Sequence, residues 1–339
     1  MGKNTIIIKK FSRKASFLAI LGFFVFTLIL IMGFLGYQKV FAPGPLKLPK
    51  TLIIPHGMST SKIASTLAEQ GVIDSPNVFH VLSRIKHSPL KAGEYIFYPW
   101  INLWNTLKIL NEGQVVVHKF RVPEGRTSFQ IVDQLNKTEP LSGFIIEIPP
   151  EGTLLPNTYF FQYGEDRQDL LKRMAKAMEE TLKTLWASRD PDVPLATPFE
   201  AVILASIVEK EAMKSNERSR IAGVFFNRLK KGMLLQSDPT VIYGMTKGRQ
   251  SFLRNLSKQD LKKETSHNTY ALIGLPPTPI CNPGHAALWA VLHPLKTEEL
   301  FFVANGQGGH HFSKNYKDHA HHHSAWRQIR KSLQSASKN

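Results

Sequence analysis

The chain has 339 residues, of which 42% are hydrophobic and 20% are charged, with 43 Lys and Arg against 26 Asp and Glu. This composition excludes a chain that is disordered throughout, and the single cysteine, Cys281, excludes both an internal disulfide framework and a zinc site built from cysteines. Eight basic and no acidic residues lie within residues 1–50, so the net charge of +17 falls to +9 over the other 289 residues. Because the excess positive charge surrounds one hydrophobic segment, we expect no nucleic-acid partner.

The N-terminal segment has the properties of a membrane-spanning helix. Residues 15–37 carry no charge, and at about 1.5 Å per residue they can cross a hydrocarbon core of roughly 30 Å. Five basic residues precede this segment, which predicts a cytoplasmic tail at residues 1–14 and an external location for the rest of the chain. The alternative is a signal peptide cleaved at the small-x-small sequence Val40-Phe41-Ala42, although the apolar run is longer than such peptides usually have.

A short spacer and a repeated motif follow the apolar segment. Residues 38–50 are rich in proline and free of acids, which predicts a stiff spacer that holds the folded part off the bilayer. The pattern apolar-Pro-x-Gly-x-Ser/Thr then occurs twice, at residues 54–59 and 122–127, each time before apolar residues at helical spacing. A strand that ends at proline, a turn at glycine and a helix capped by Ser59 or Thr127 explain each copy. We therefore expect a small α+β subdomain at residues 51–140.

The rest of the chain predicts a connecting segment at residues 141–196 and a second α+β domain at residues 197–339. Thr197 as an N-cap, Pro198 at the first helical position and Glu200 in a capping box should open a buried helix that runs to about Met213. The other predicted elements are a strand at 93–97, helices at 103–110, 170–186, 218–230 and 325–335, loops and short strands at 231–310 with a β-like segment within 235–244, and a strand at 300–304 before a tight turn at Asn305-Gly306.

Glu209 is the first candidate for a catalytic group. It lies near the end of the predicted buried helix, where loss of hydration and the negative end of the helix dipole would both raise its pKa. A carboxyl that stays protonated near neutral pH can act as a general acid. Glu211 and Glu217 are rival carboxylates, and Glu211 should point about 200° away from Glu209 around the helix. An acidic surface residue paired with Lys210 or Lys214 is an equally good interpretation of the same spacing.

The histidines and the polar loops carry weaker signals. Six histidines crowd into fourteen residues but match no zincin pattern, so we expect neither a catalytic metal nor a cofactor. These residues are His310, His311, His319, His321, His322 and His323. The sequence has no P-loop, which argues against nucleotide chemistry. Two loops, at residues 235–244 and 267–277, combine neutral amides, hydroxyls and aromatic rings, which suits a sugar ligand and is also common in ordinary loops.

Eight short motifs occur in a characteristic order in the second half of the chain. They are Ala205-Ser206-Ile207-Val208-Glu209-Lys210-Glu211, Val224-Phe225-Phe226-Asn227-Arg228-Leu229, the segment 235–244, Asn268-Thr269-Tyr270, Gly274-Leu275-Pro276-Pro277, Pro283-Gly284, His293-Pro294 and Gly309-His310. In this order they resemble the motifs of the endolytic murein transglycosylases, the MltG or YceG-like family. The two Pro-x-Gly copies resemble that family's LysM-like subdomain. Two positions depart from the pattern, since His267 stands where a tyrosine is expected and Asn157 where an aspartate is usual.

The resemblance implies a function. Members of this family cleave the β-1,4 bond between N-acetylmuramic acid and N-acetylglucosamine in nascent peptidoglycan strands without water, and they leave a 1,6-anhydro end that helps to terminate strand elongation. The catalytic glutamate of the family falls on Glu209. In the two loops whose chemistry suits a sugar, we expect Gln236, Asp238, Asn268 and Tyr270 to bind the substrate. The resemblance also implies a single-pass protein of the cell inner membrane, with its catalytic part in the periplasm and peptidoglycan synthases as partners.

One carboxyl is sufficient for this reaction. Glu209 would protonate the glycosidic oxygen and would then accept the proton of the sugar's own C6 hydroxyl as that hydroxyl attacks C1. Hydrolysis by two carboxylates, with Asp238 or Glu151 as the second group, stays open at this point. Two other hypotheses are a non-catalytic wall-binding protein, which Glu209 and the 236–244 loop argue against, and a histidine-dependent metalloenzyme, which the ligand spacing argues against.

Overall fold

A computed structural model describes residues 4–336 apart from Ser88, with side chains described from residue 16 to residue 330. The helices are α1 (Asn4–Phe41), α2 (Thr60–Glu69), α3 (Pro76–Ile85), α4 (Leu103–Glu112), α5 (Ser128–Asn136), α6 (Arg167–Ala187), α7 (Pro198–Glu211), α8 (Arg218–Lys230), α9 (Asp238–Thr246), α10 (His285–Leu292) and α11 (Tyr316–Ala336). The strands are β1 (Lys50–Ile54), β2 (Gly93–Phe97), β3 (Val117–Arg121), β4 (Thr158–Gln162), β5 (Phe301–Ala304) and β6 (His310–Ser313). This mixture confirms the predicted α+β class.

The chain divides into two units, Met1–Val117 and His118–Asn339. In the first unit, β1 and β2 pair antiparallel, with Lys50 opposite Phe97, and enclose α2 and α3 between them in the sequence. As predicted, Ser59 caps α2, because its side chain accepts a hydrogen bond from the backbone N–H of Lys62 at 3.3 Å. The apolar faces of these elements form one core, which includes Ile54, Leu67, Phe79, Tyr95, Phe97 and Leu107.

The proline-rich segment after α1 is part of the first unit. Leu46 is buried in its core, and Val40, still within α1, is buried as well. The backbone N–H of Gly44 donates to the carbonyl of Trp100 at 3.3 Å, and the N–H of Trp100 donates to the carbonyl of Leu46 at 2.8 Å. A Cβ at Gly44 would collide with the carbonyl of Ile101, so only glycine fits there. The segment is therefore not the free-standing spacer that its proline content predicted, because tertiary hydrogen bonds and burial join it to the fold.

The second copy of the Pro-x-Gly motif belongs to the second unit. Strand β3 pairs with β4, and Thr127 forms a complete capping box with Gln130 at the start of α5. The apolar residues of this copy share one core with β4 and α6. This core includes Phe120, Ile131, Leu135, Leu154, Phe161, Leu170 and Met174. The first compact unit thus ends 23 residues before the expected boundary at residue 140, because the second copy packs on α6. The LysM-like interpretation of the first unit stays a prediction.

Helix α7 begins as the sequence predicts. Thr197 caps it with Glu200 in a capping box and Pro198 is its first residue. The helix ends at Glu211 rather than near Met213, because the backbone of Ala212 leaves the helical region at φ −80° and ψ 106°. All residues from Ala201 to Val208 are buried, because α6, α8 and α10 pack around the helix.

The segment between residues 231 and 310 contains two helices, α9 and α10, where loops and strands were expected. Helix α9 covers most of the β-like segment, which makes that prediction wrong. Pro239 occupies the first turn of α9, where a missing N–H costs nothing, and buried Thr240 and Val241 gain packing that outweighs their β preference. Near the C-terminus one predicted strand and one predicted helix are present in the structure. The strand at 300–304 is β5, which pairs antiparallel with β6 around Gly306, whereas α11 begins nine residues before the predicted start.

Candidate active site

Glu209 lies at the C-terminal end of α7 with only 4% of its side chain exposed. Its carboxylate accepts a hydrogen bond from Nη2 of Arg218 at 3.0 Å and another from the backbone N–H of Gly284 at 2.9 Å. Gly284 is the N-cap of α10, so the positive end of that helix dipole also points at the carboxylate. These contacts give Glu209 an environment more polar than the apolar helix around it suggested.

Arg218 joins Glu209 to a second carboxylate that sequence reasoning missed. The same Nη2 atom donates to Glu124 at 3.2 Å. Burial and the neighbouring Glu209 raise the pKa of Glu124, and Arg218 acts in the opposite direction. The signal that could have identified Glu124 was the repeat itself, because the variable position of the Pro-x-Gly turn is His56 in the first copy and Glu124 in the second.

The turn that carries Glu124 is fixed by the segment before α10. The N–H of Gly125 donates to the carbonyl of Asn282 at 3.1 Å, and the N–H of Asn282 donates to the carbonyl of Arg126 at 2.9 Å. Gly125 has a φ of +74°, which favours glycine. A Cβ at Gly284 would collide with the Glu124 carboxylate, so this position needs glycine for lack of space. The two carboxylates are therefore held close together by backbone contacts as well as by Arg218.

Glu151, one of the expected second carboxylates, supports this turn instead of sharing the guanidinium. It accepts hydrogen bonds from the N–H of Ser128 at 2.9 Å and from Nδ2 of Asn282 at 3.4 Å. Burial raises the pKa of Glu151 to about 7, although the hydrogen bonds from Ser128 act to lower it. The carboxylate that shares Arg218 with Glu209 is Glu124.

The predicted substrate-binding residues come together from two loops. The hydroxyl of Tyr270 donates to Oδ1 of Asp238 at 2.6 Å, and the N–H of Gln236 donates to the carbonyl of Thr269 at 3.0 Å. Asp238 and Gln236 are exposed and Tyr270 is half-buried. Asn268 is fully buried, and its side chain holds the backbone of its own loop. Three of the four predicted residues can thus face a ligand, while Asn268 shapes the loop that presents Tyr270.

Glu211 and Glu217 make contacts different from those of Glu209. Ser237 donates its hydroxyl to Glu211 at 2.6 Å, which ties the end of α7 to the start of α9. Burial raises the pKa of Glu211 to about 7 against the effect of the Ser237 hydrogen bond, and Asp238 adds to the increase. Burial also acts to raise the pKa of Glu217, but hydrogen bonds from the side chain and backbone of His310 outweigh it and lower that pKa.

A groove of about 290 Å³ opens beside Lys210, the residue after Glu209. Its lining combines amide side chains with apolar and aromatic ones, including Gln130, Ile242, Tyr243, Gln250 and Phe252. Sugars present hydroxyls for hydrogen bonds and apolar ring faces for stacking, so this lining matches a glycan.

The two departures from the family pattern have local structural roles. His267 is buried, and its ring nitrogens bond the hydroxyls of Ser266 at 3.0 Å and Thr278 at 2.8 Å. Burial lowers the pKa of His267 to about 4, so the ring is neutral near pH 7. Asn157 precedes β4, and its carbonyl accepts a hydrogen bond from the N–H of Val122 at 2.9 Å. Asn157 therefore supports the strand that leads into the Glu124 turn.

The comparison with known families accounts for this arrangement. The YceG-like family matches residues 52–325, which include both Pro-x-Gly copies and the residues around Glu209. The chain belongs to this family. The resemblance inferred from the eight motifs is thereby confirmed, and the match extends from the first unit into α11.

Curated relatives and a solved structure agree. The endolytic murein transglycosylase of Bacillus subtilis (strain 168) is 31% identical and aligns with 86% of this chain and 89% of its own length. That of Streptococcus pneumoniae (strain R6) is 27% identical over 88% of this chain, which spans 63% of the length of the pneumococcal protein. A crystal structure of a YceG-like protein from Listeria monocytogenes superposes with a TM-score of 0.52, at 29% identity, over 80% of this chain and 98% of that one.

Proposed function

We propose that this protein is an endolytic murein transglycosylase. It cuts the β-1,4 bond between N-acetylmuramic acid and N-acetylglucosamine in nascent peptidoglycan strands, leaves a 1,6-anhydro end and so helps to terminate strand elongation. The observation that carries this proposal is the nearly buried Glu209, held by Arg218 and Gly284 beside Glu124. The predicted enzyme class agrees with the names of the relatives from Bacillus and Streptococcus.

Glu209 serves both steps of the reaction. In the first step, its proton moves to the glycosidic oxygen as the bond from that oxygen to C1 breaks, which leaves an oxocarbenium-like sugar. In the second step, the C6 hydroxyl of the same sugar attacks C1 and its proton returns to Glu209. No water is consumed, and the intramolecular hydroxyl has the high effective molarity that removes the need for a second base.

Arg218 and Glu124 prepare Glu209 for this cycle. Arg218 stabilises the carboxylate that remains after proton transfer, and Glu124 shares the same guanidinium, so it competes with Glu209 for this positive charge. Among the described residues, the buried Nε of Arg218 has no hydrogen-bond partner, so this guanidinium keeps one donor that neither carboxylate uses. The strand itself would lie along the groove beside Lys210 and the loops with Asp238 and Tyr270.

Helix α1 is proposed to anchor the protein in the inner membrane, with the rest of the chain in the periplasm. The segment Ser16–Phe41 has a mean hydropathy of 2.8, and none of its most apolar stretch is buried in the fold. A cleaved signal peptide is less consistent with the structure, because cleavage after Ala42 would remove Val40 and Phe41, which pack on the first unit. Peptidoglycan synthases, which make the strands, are the proposed partners.

Mass spectrometry of the products tests the reaction. The purified full-length protein should convert peptidoglycan strands into fragments with 1,6-anhydro-muramic ends, and EDTA should not change this result. The Glu209→Gln variant should yield no such fragments. Unchanged strands with the folded wild-type protein would contradict the proposal.

Hydrolysis by two carboxylates is the second candidate, and the proximity of Glu124 to Glu209 is the observation that favours it. In that reaction Glu124 replaces Asp238 and Glu151 as the expected partner. Hydrolysis leaves reducing ends in place of anhydro ends. The mass of the terminal muramic residue, lower by one water in the anhydro product, therefore distinguishes the two reactions in the same experiment.

A further inference from the structure

The join between α1 and the rest of the first unit is a direct contact. The ring of Phe41, the last residue of α1, lies 5.9 Å from the ring of Trp104 in α4, and Asn102 donates a side-chain hydrogen bond to the carbonyl of Phe41 at 3.3 Å. Lys39 also pairs with Asp74 at 3.7 Å. The first unit is therefore fixed against the end of the apolar helix, so one of its faces must lie next to the point where that helix leaves the bilayer.

Aromatic and basic side chains lie on the segments that meet the end of α1. Tyr98 is 63% exposed and Trp100 is 58% exposed, on the turn that bonds the segment after α1. The ammonium of Lys86 lies 4.8 Å from the centre of the Trp104 ring, and Lys47 is exposed three residues after Gly44. We call these residues, Lys47, Lys86, Tyr98, Trp100 and Trp104, the headgroup face.

The short chain connection keeps these residues close to the end of α1. Gly44 follows Phe41 by three residues, so its backbone lies within roughly 10 Å of the helix end, and it is hydrogen-bonded to Trp100. The interfacial layer of a bilayer adds roughly 5–8 Å beyond the hydrocarbon on each side. Tryptophan and tyrosine concentrate in that layer, because their rings are apolar and their N–H or O–H groups need polar partners.

The backbone of Trp100 supports an outward role. Its φ is +61°, a conformation that is unfavourable for a bulky residue. The N–H of Trp100 donates to the carbonyl of Leu46, and its carbonyl accepts from the N–H of Gly44. These two bonds hold the conformation and leave more than half of the residue exposed. A tryptophan that is exposed and held in unfavourable backbone does not contribute to the core, which favours a role for it at the surface.

We propose that the headgroup face rests on the phospholipid headgroups of the outer leaflet, with its tryptophans in the interfacial layer and Lys47 and Lys86 close to the phosphates. This inference depends on the proposed membrane anchor. The contact would hold the first unit against the bilayer in addition to the anchor, so that α1 and the headgroup face together orient the start of the external part of the chain.

Fluorescence quenching in vesicles tests this contact. The full-length protein is reconstituted into vesicles in which phosphatidylcholine is brominated near the headgroup end of its acyl chains, with an unbrominated preparation as reference. We expect bromine to quench the wild-type emission, and the Trp100→Phe plus Trp104→Phe double variant to lose at least half of that quenching. Trp289→Phe is the matched control, because Trp289 is 45% exposed in the second unit and its removal should leave the amount of quenching unchanged.

Three results would overturn the proposal. One is full quenching retained by the double variant. Another is a wild-type protein that withstands alkaline carbonate extraction, so that the anchor holds, yet shows no quenching. The third is an unquenched Trp100 whose emission shifts when soluble glycan strands are added, because the headgroup face would then be a sugar site. Release of the wild-type protein by carbonate would instead remove the anchor itself and both proposals with it.

Discussion

The two copies of the Pro-x-Gly motif fold in the same way and are used differently. Each consists of a strand, a turn with a glycine at positive φ (+79° at Gly57, +74° at Gly125) and a helix capped by Ser or Thr. In the first copy the turn is open: His56 is exposed, and in the described part of the chain no atom beyond the two neighbouring residues lies within 4 Å of a Cβ built on Gly57. In the second copy the turn is covered by α7, and a Cβ on Gly125 would lie 3.6 Å from Cγ of Glu209.

This difference shows which level of structure decides function. The local sequence determines the strand, the turn and the cap in both copies, because proline, glycine and a hydroxyl act on neighbouring backbone atoms. Whether the turn becomes part of the candidate site depends on Arg218 and Asn282, which are distant in the sequence and contact the second copy. Four changes test this interpretation.

The largest effect is expected from Glu209→Gln. The variant keeps a hydrogen-bonding side chain of the same size but cannot supply a proton, so strand cleavage should fall by about 10²–10⁴-fold or more. The melting temperature should change little. Glu211→Gln, at the same helix end but bonded to Ser237, should cost far less activity. If Glu211→Gln were the inactive variant, the assignment of Glu209 would be wrong.

A smaller loss is expected from Glu124→Gln, with His56→Gln as its equivalent in the first copy. Loss of the charge at residue 124 removes one partner of Arg218 and disturbs Glu209, so kcat should fall by about 10–100-fold, the equivalent of one charge-assisted hydrogen bond. His56→Gln should leave kcat unchanged because the first turn faces solvent. Equal effects of the two variants in a steady-state assay would contradict the distinction between the copies.

The pH dependence of stability should arise in the second unit. Glu151 and Glu211 have pKa values raised from 4.5 to about 7. In the folded state they hold protons that the unfolded chain releases, so their stabilisation is complete below pH 4.5 and is lost as the pH rises through 7. We expect the free energy of unfolding to fall by on the order of 1–3 kcal/mol for each carboxyl over this range.

Denaturant unfolding of the Glu211→Gln variant at pH 5 and pH 8 measures this contribution. Glutamine stays neutral and can still accept from Ser237, so the variant should lose less stability than the wild type between the two values. Glu69→Gln, at the exposed end of α2, is the control, and its free energy of unfolding should change between the two pH values as much as that of the wild type. If Glu211→Gln left this change in the free energy of unfolding unaffected, the carboxyl would titrate alike in the folded and unfolded states.

The smallest effect compares Gly57→Ala with Gly125→Ala. Both place a Cβ on backbone with positive φ, so each should reduce the free energy of unfolding by about 1–2 kcal/mol. Only the change at residue 125 should also reduce kcat, because its Cβ approaches Glu209 and Lys210. A loss of kcat in the Gly57→Ala variant at a temperature well below its melting point would show that the first turn also contributes to catalysis.

Local signals in the sequence were sufficient for much of the fold. The caps at Ser59, Thr127 and Thr197 and the bounds of α8 and β2 follow from residues within one turn of each other. Helix α9 was not predicted, because the β preference of Val241 and its neighbours is outweighed by tertiary packing that the sequence does not display. The burial of the proline-rich segment was not predicted for the same reason, because its hydrogen-bond partners lie on the turn at Trp100, which is distant in the sequence.

The candidate site shows the same limit. The motif around Glu209 predicts the first carboxylate through its family resemblance, and the loops with Asp238 and Tyr270 are predicted with it. Glu124 precedes Glu209 by 85 residues, and its role depends on a shared arginine that no spacing rule predicts. The repeat offered an indirect signal, because an acidic residue replaces a histidine at the variable position of an otherwise similar turn.

The contact between Phe41 and Trp104 has a practical consequence for preparing a soluble fragment. The usual choice is to begin such a fragment after the apolar helix, near Pro43. This would expose the Trp104 ring and remove Val40, which is buried against the first unit. A fragment that begins at Tyr37 keeps these residues and lacks most of the apolar segment. We expect its yield and homogeneity on size-exclusion chromatography to exceed those of the shorter fragment.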